Sequence, residues 1–256
     1  MGNTPFAGLA MLIEALIYAA SYLDTPAPFR PHLYGAVGLW SRGRRQTRAW
    51  TPHAERTSAL ITQAMSAIAP RRTVVVLGSG PLFDVPVETL AQAFGKVLLV
   101  DRAHIAPAYK RTRPHDNVRH DWRDLSAATT ANPLGFLAAI PDLDWVISVN
   151  ILSQLGIGAP FGRERRVVDS HLDDLARLRC PVTLVTDTDY QTLDINGRRK
   201  DGFDLLFGRP MPRPDHRWTW EVAPFGEEDP ATRRTHSVSF YRDWRQVAAE
   251  TGETVG

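Results

Sequence analysis

A strand-like run that ends in two glycines is the strongest chemical signal in the sequence. Gly78 and Gly80 follow the apolar run Val74 to Leu77, within the segment VVVLGSGPLFDVP. Gly78 permits a tight turn and Gly80 lets a ligand approach the backbone, while the helix predicted to follow offers free N–H groups. In an open α/β sheet, ligands bind at the carboxyl ends of the strands. A purely structural turn would show the same two glycines.

Carboxylates end two later strands. Asp101 closes the run KVLLVD about 20 residues after Gly80, the spacing at which an acidic residue accepts the hydroxyls of a ribose. Asp121 follows a third strand, where a carboxylate could meet an adenine amino group beside His120 or Trp122. The three strand ends together predict a site for an adenosine-containing ligand, with capping or solvated carboxylates as the alternative.

The elements that must position these residues alternate between strand and helix from Arg72 onward. This alternation predicts a doubly wound α/β fold whose mostly parallel sheet is covered on both faces. The predicted strands are TVVVLGSG, KVLLVD, NVRHD, DWVISVN and CPVTLVTDTD, and the helices between them include NPLGFLAAIP and RERRVVDSHLDDLARLR. After Asp189, a long functional loop with a short central helix is predicted, and WTWEV and HSVSFY then form an antiparallel hairpin at the sheet edge.

The first 70 residues precede this alternation. They are predicted to be a helical extension or lid on a body that spans residues 71–256. Pro5 to Leu23 is predicted to be an amphipathic helix that packs on the body or on a second copy in a homodimer, and a signal peptide or membrane span is rejected. The Pro- and Arg-rich stretch from Asp24 to Pro52 is predicted to be a linker or lid, with Thr51 capping the helix that follows.

Composition limits the kinds of partner. The chain has 256 residues, of which 43% are hydrophobic, which is typical of a globular protein. Lys+Arg 30 against Asp+Glu 28 gives a net charge of +2, so no whole-molecule field favours nucleic acid or anionic lipid. A lone cysteine, Cys180, excludes an internal disulfide, favours a cytoplasmic location and is predicted to be a buried thiol. The histidines lack the spacing of metal ligands, so no metal is predicted.

Over roughly Arg72 to Trp244 the chain resembles the class I S-adenosylmethionine-dependent methyltransferases, a Rossmann-like family. The resemblance rests on the C-terminal hairpin and on the segments VVVLGSGP, KVLLVD, NVRHD and DWVISVNILSQL. It implies a seven-stranded sheet and S-adenosylmethionine as the cofactor. The chain departs from the family pattern at Val76, where an acidic residue is usual, and at Leu82, where the third glycine falls.

The resemblance also implies roles for single residues. The implied cofactor-binding residues are Gly78, Ser79 and Gly80 at the methionine part, Asp101 at the ribose, Asp121 at the adenine amino group, and Asn150 where donor and acceptor meet. Asp84 could reach the amino group of the cofactor in place of the missing acidic residue, and helix capping explains it equally well.

Catalytic candidates lie at the carboxyl ends of the fourth and fifth strands. Asn150, Ser153 and Asp187 are the favoured candidates, and Gln154, Asp189 and Tyr190 lie at the same strand ends. His53 and Trp50 are further candidates from the helix before the first strand. A hydroxyl acceptor would benefit from a base among them. Asp187 and Asp189 would share one side of a regular strand, where they could jointly bind a cationic acceptor or face solvent.

These features predict methyl transfer from S-adenosylmethionine to an oxygen or nitrogen of a small molecule. One alternative is a non-catalytic interaction protein that keeps the methyltransferase fold, and another is a nicotinamide-dependent oxidoreductase. A third is an RNA methyltransferase that uses the basic cluster Arg42 to Arg48, flanked by Trp40 and Trp50. That cluster could equally bind an acidic small molecule or form a solvated helix face.

Overall fold

A sheet of eight strands forms the centre of the protein in the computed structural model, which describes residues 5–126 and 132–250. The strands are β1 (Thr73–Leu77), β2 (Lys96–Asp101), β3 (Val118–Trp122), β4 (Leu143–Val149), β5 (Val182–Asp194), β6 (Arg199–Asp204), β7 (His216–Ala223) and β8 (Thr232–Tyr241). Seven of them follow the order β3-β2-β1-β4-β5-β8-β7, and β6 pairs with β5 off this path.

Strands β1 to β5 pair in parallel, and β8 runs antiparallel to both β5 and β7. The expected hairpin is therefore confirmed, with Trp218 opposite Val238 and Trp220 opposite His236. The apolar and polar residues of both strands alternate, and this register places their apolar residues on the same face of the sheet. The predicted α/β architecture, a mostly parallel sheet closed by an antiparallel hairpin, is confirmed, but the sheet has eight strands instead of the implied seven, because β6 adds an antiparallel strand to β5.

Helices cover both faces of the sheet. They are α1 (Pro5–Asp24), α2 (Leu33–Arg45), α3 (Thr47–Met65), α4 (Val87–Ala93), α5 (Ala106–Thr112), α6 (Leu152–Ile157), α7 (Glu164–Ala176) and α8 (Trp244–Glu250). The apolar run of β1 is continuous because both of its faces are buried. Val74 and Val76 join the core on one face, and Val75 and Leu77 join the core on the other. A strand buried on both faces shows no polar alternation.

The stretch predicted to be a linker is helical instead. Three prolines, Pro26, Pro28 and Pro31, occupy its start, where a 3-10 turn spans Ala27–His32 and α2 follows at once, and Pro52 lies inside α3. Leu33, Val37 and Trp40 recur at helical spacing and are buried against the first core. Helix α3 begins at Thr47, so the prediction that Thr51 caps it is also wrong. The prolines suggested a linker, but apolar residues at helical spacing follow them. Burial of these residues against the sheet stabilises the helix.

The prediction of a long loop after Asp189 is also wrong for the first half of that segment. Strand β5 continues to Asp194 and turns into β6 through Asn196 and Gly197, and Gly197 has φ +76°. An Asn-Gly pair between two extended runs is a strong hairpin signal, because both residues tolerate positive φ. Residues 205–215 are irregular and contain no helix.

A second predicted helix, NPLGFLAAIP, forms only a 3-10 turn over Gly135–Ala139. Pro133 and Pro141 bracket too few residues for a stable α-helix. The other long prediction in this region, RERRVVDSHLDDLARLR, is confirmed as α7.

The first helix is confirmed as α1. It packs on α2 and α5, and the hydroxyl of Ser21 accepts a hydrogen bond from the Ala106 amide at 2.9 Å. Apolar side chains along it remain exposed, among them Leu12, Leu16 and Leu23. None of the helices in the described part of the chain is both long and apolar enough to cross a membrane. A homodimer through this helix stays a prediction, as does the division of the chain at residue 70.

Candidate active site

A cavity of about 540 Å³ opens at the carboxyl ends of the parallel strands, beneath α2 and α3. Its volume lies in the range of ligand-binding cavities. Most of the residues singled out from the sequence line it, namely Gly78, Ser79, Gly80, Asp84, Asp101, Asn150 and Asp187. Ser153 lies behind Asp187, and Asp121 lies outside the lining. One cavity thus gathers residues from four strand ends.

The glycine turn forms one wall of the cavity. Gly78 has φ +78°, and a Cβ there would lie 2.6 Å from the Val149 carbonyl oxygen and 2.7 Å from the Ile151 Cβ. Gly80 has φ +50°, and a Cβ there would meet only the Gly78 carbonyl oxygen, at 3.9 Å. Gly78 is therefore required by close packing of the chain, whereas a side chain at Gly80 would project into open space.

The expected helix start at this turn is absent, because α4 begins only at Val87 and has seven residues. The turn amides are used within the chain instead. The Gly78 amide donates to the Val100 carbonyl at 2.9 Å, and the Gly80 amide donates to Asp101 Oδ2 at 2.8 Å. The prediction that free N–H groups of a helix start serve the ligand at this turn is therefore wrong.

Asp101 organises the turn and also faces the cavity. Its second oxygen, Oδ1, accepts from the Ala103 amide at 3.3 Å. Each carboxylate oxygen has a further acceptor site, so Asp101 can still accept two ribose hydroxyls. Next to it, the hydroxyl of Ser79 is buried without a hydrogen-bond partner among the described residues. An unpaired buried hydroxyl in a cavity wall suits a ligand that supplies the missing partner.

A polar network of Asp84, Asn150 and His53 forms the deeper wall. The Asn150 amide donates to Asp84 Oδ2 at 2.5 Å, and His53 Nε2 lies 3.5 Å from the same oxygen. Asn150 has φ +49°, in the left-handed region that asparagine tolerates better than most residues. The capping explanation for Asp84 is wrong, because the N-cap position of α4 is Pro86 and no side chain caps it. Asp84 is free to serve the cavity.

His53 is held in one tautomer. Its Nδ1 accepts a hydrogen bond of 3.2 Å from the Trp218 indole, and an indole N–H can only donate. The neutral ring therefore carries its proton on Nε2, which faces Asp84. Trp220 stacks on His53 with 4.1 Å between ring centroids, and Trp50 meets Trp220 edge-on at 5.0 Å. These rings give the cavity an apolar aromatic side.

Asp187 is buried and connects three elements. Its Oδ1 accepts from the Ser153 hydroxyl at 2.6 Å, and its Oδ2 lies 2.7 Å from Nδ1 of His236. Asp187 lines the cavity from the end of the parallel part of β5, and His236 approaches from β8. Ser153 therefore acts on the cavity through Asp187 rather than directly.

Two other carboxylates do not join this group. A bulge in β5 places Asp187 opposite Val238 and Asp189 opposite Ser237. Because successive residues of β8 face opposite sides, the two aspartates point to opposite faces of the sheet. The idea that they bind a cation together is therefore wrong. Asp121 forms an ion pair with Arg123 at 2.6 Å, and its role at an adenine stays a prediction.

The basic cluster of Arg42 to Arg48 is partly neutralised by acidic residues near β7. Arg45 forms an ion pair with Glu227 at 3.0 Å, and Arg42 lies 3.5 Å from Glu227 and 3.4 Å from Glu228. Arg44 lies over the ring of Trp40 at 5.1 Å. Much of the cluster thus fastens α2 to the β7–β8 loop.

Cys180 lies just before β5, at the end remote from the cavity. It is buried, and burial raises the pKa of its thiol to about 11. This position supports the prediction of a structural thiol, because a nucleophilic cysteine needs a lowered pKa.

Trp220 lines the cavity and His236 adjoins its wall through Asp187, and neither residue was predicted to belong to the site. A signal was present in β8, where His236 alternates with the buried Val238 and Phe240 and so shares their face. Trp220 was assigned to the hairpin but not to a ligand site. Neither pattern reveals that this face of the hairpin adjoins the glycine turn.

The strand order β3-β2-β1-β4-β5-β8-β7 with its C-terminal antiparallel hairpin is a Rossmann-like α/β fold, the architecture that the resemblance found in the sequence implies. Scanned against models of protein families and against curated sequences, the chain gives no match.

Several solved structures share parts of the architecture. A complex of DhpI with SAH is 15% identical, with 79% of this chain and 93% of that chain covered and a TM-score of 0.40. Phosphoethanolamine N-methyltransferase 1 of Haemonchus contortus is 13% identical, with 60% of this chain and 31% of that chain covered and a TM-score of 0.36. The 23S rRNA methyltransferase ErmE is 12% identical, with 72% of this chain and 67% of that chain covered and a TM-score of 0.31.

Proposed function

We propose that the protein is an S-adenosylmethionine-dependent methyltransferase that acts on an oxygen or nitrogen of a small molecule. One observation supports this above all. The cavity joins an adenosine-type half, formed by the glycine turn and Asp101, to a half lined by aromatic rings and Asp187, and the pair Asp84–Asn150 stands between the two halves. Such a cavity can hold a nucleoside cofactor and a second molecule side by side.

The residues of the first half fit the cofactor. Asp101 would accept the ribose hydroxyls, Gly80 leaves room for a close approach, and the unpaired Ser79 hydroxyl would gain a partner. Asp84 would take the amino group of the methionine part, in place of the acidic residue that the family usually has at the position of Val76. When bound, the cofactor supplies a methyl group already activated by the positive charge on sulfur.

The residues of the second half orient the acceptor. Methyl transfer needs alignment more than acid–base chemistry, because the donor is already activated. Trp50 and Trp220 provide a rigid apolar surface against which an acceptor can be held. Asn150 stands between the two halves with its Oδ1 buried and unpaired within the described chain, where it can accept a hydrogen bond from a ligand.

The N-terminal helices belong to this site in our proposal. Leu39 of α2 and Trp50 and His53 of α3 line the cavity, and the Trp50 indole donates to the Val222 carbonyl of β7 at 3.0 Å. The first 70 residues would therefore shape the acceptor half and exclude water from it. An RNA acceptor is less well supported, because Arg42 and Arg45 are already paired with Glu227.

Calorimetric titration tests this proposal. The purified protein is titrated with S-adenosylmethionine and S-adenosylhomocysteine, and with NADH and NADPH as controls. We expect micromolar binding of the first pair only, lost in Asp101→Ala and kept in Asp116→Ala, a matched change at an exposed aspartate. Binding of NADH or NADPH would indicate an oxidoreductase. No binding of any of the four would refute the enzyme and favour an interaction protein.

A further inference from the structure

We propose that His53 is a positioning residue for the cofactor. It holds Asp84 in the orientation in which one oxygen of that carboxylate accepts the amino group of the methionine part. This inference rests on the proposed function, and it adds a residue of the N-terminal helices to the cofactor half of the cavity.

The two oxygens of Asp84 have different surroundings. Oδ2 accepts a hydrogen bond from the Asn150 amide at 2.5 Å and lies 3.5 Å from Nε2 of His53. None of the described residues donates to Oδ1, and Asp84 is part of the cavity wall. The protein therefore fixes the carboxylate by one oxygen and leaves the other for a ligand.

Two tryptophans of β7 fix the ring of His53. Trp220 stacks on it with an angle of 11° between the ring planes, and the Trp218 indole donates to Nδ1 at 3.2 Å. Because Nδ1 is the acceptor in this bond, the single proton of the neutral ring is on Nε2. The ring is buried, so these contacts set its orientation. His53 therefore presents a fixed N–H donor to Asp84.

His53 and Asn150 act on the same oxygen of Asp84. The Asn150 amide nitrogen lies 3.4 Å from Nε2 of His53, and both nitrogens approach Asp84 Oδ2. With the proton of His53 on Nε2, this is the arrangement of two donors that share one acceptor. The Asn150 bond is the shorter one, and the His53 contact closes the other side of the oxygen. Without His53, Asp84 would be held from one side only.

The charge of Asp84 is not balanced by a basic side chain. Arg102 is the one lysine or arginine among the described residues that line the cavity, and it lies 3.9 Å from Asp124. That position is next to Asp101, where the ribose would bind. A carboxylate shielded from water needs a positive partner. The amino group of the cofactor carries the charge that the cavity wall lacks at Asp84.

This arrangement accounts for the departure from the family pattern at Val76. That side chain is fully buried in the core, so it offers no group to a ligand. Asp84 reaches the cavity from the segment after the glycine turn, and His53 reaches it from α3. Recognition of the amino group is thus divided between the glycine-turn segment and the N-terminal helices.

Calorimetric titration with three ligands tests this assignment. S-adenosylhomocysteine carries an amino and a carboxylate group, its decarboxylated analogue keeps only the amino group, and 5′-methylthioadenosine lacks both. In Asp84→Asn we expect affinity for the first two ligands to fall by about tenfold or more, with affinity for 5′-methylthioadenosine unchanged. Asp116→Asn, a matched change at an exposed aspartate, should leave all three affinities unchanged.

Variants of His53 separate positioning from packing. His53→Leu should weaken S-adenosylhomocysteine binding by about threefold or more. His53→Gln should restore the affinity, because its amide can accept from Trp218 and donate to Asp84. Because His53 acts through Asp84, His53→Leu should cause no further loss in the Asp84→Asn background. His216→Leu, at an exposed histidine of β7, is the matched control.

Nitrogen-15 NMR of the histidine rings tests the tautomer without a variant or a ligand. We expect the Nε2–H form at His53, and the Nδ1–H form would overturn the inference. Equal losses for S-adenosylhomocysteine and 5′-methylthioadenosine, or unchanged affinity for S-adenosylhomocysteine in Asp84→Asn, would overturn it while leaving the proposed cofactor site in place. Failure of all three ligands to bind the wild-type protein would overturn the proposed function and this inference with it. Thermal unfolding verifies that the variants fold.

Discussion

Gly78 and Gly80 share one turn, but a methyl group added at each would meet different surroundings. Both residues have positive φ, which costs an alanine about 1–2 kcal/mol. At Gly78 the new Cβ would also lie 2.6 Å from a backbone oxygen and 2.7 Å from Ile151. Relief of such contacts in a packed core costs about 1–3 kcal/mol more. At Gly80 there is no such contact, since its nearest neighbour would be 3.9 Å away.

We therefore expect the two alanine variants to fail in different ways. Gly78→Ala should lower the free energy of unfolding by roughly 2–5 kcal/mol, and Gly80→Ala by only about 1–2 kcal/mol. The Gly80 variant should instead lose ligand affinity, because its Cβ would occupy space at the cavity wall. We expect at least about a tenfold weaker affinity for S-adenosylhomocysteine, or about 1.4 kcal/mol.

Urea unfolding followed by tryptophan fluorescence measures the first effect, and calorimetry measures the second. The wild-type protein and both variants are compared in one buffer. Equal losses of unfolding free energy in the two variants would refute the steric reasoning. Wild-type affinity for S-adenosylhomocysteine in Gly80→Ala would show that the ligand does not approach this wall.

Three further predictions concern buried and charged groups away from the glycine turn. Burial lowers the pKa of His171 from 6.5 to about 4, so between these values the unfolded chain binds a proton that the folded protein does not. His171 alone should therefore lower the free energy of unfolding by roughly 2–3 kcal/mol between pH 7 and pH 4.5; urea unfolding should show the total loss reduced by this amount in His171→Gln and unchanged in His216→Gln. Replacing Arg42 and Arg45 by glutamine should cost about 1 kcal/mol or less of stability and leave RNA affinity unchanged in filter binding, whereas loss of a tight, salt-dependent RNA complex would favour an RNA acceptor. Cys180 should react slowly with Ellman's reagent at pH 8 in the folded protein and rapidly in denaturant, and rapid labelling without denaturant would contradict its buried position.

Patterns among residues that are close together in the sequence predicted much of the fold. The run Val74 to Leu77 predicted a buried strand, and the alternation through Trp218 and Val238 predicted paired strands. Such patterns succeed because a strand's side-chain period is set locally by its backbone geometry. The hairpin register then follows, because only one pairing buries these apolar faces together.

Errors arose where distant parts of the chain outweighed local signals. The prolines after Asp24 suggested a linker, but Leu33 and Trp40 gain enough burial against the sheet to sustain a helix. At β6 the local signal, Asn196-Gly197, was present and was overlooked. Asp84 lies before a predicted helix and looked like its cap, yet its partner is Asn150 from another strand end.

The sequence by itself determined the order of strands and helices and two of the groups available for ligand binding, namely the glycine turn at Gly78 and the carboxylate of Asp101. Tertiary structure alone decided which side chains meet. Asp187 and His236 are 49 residues apart in the chain, and their contact follows from the antiparallel pairing of β5 and β8. The bulge that turns Asp189 away from Asp187 also belongs to that pairing. Strand register and packing set these contacts, and neither is encoded in the spacing of residues along one segment.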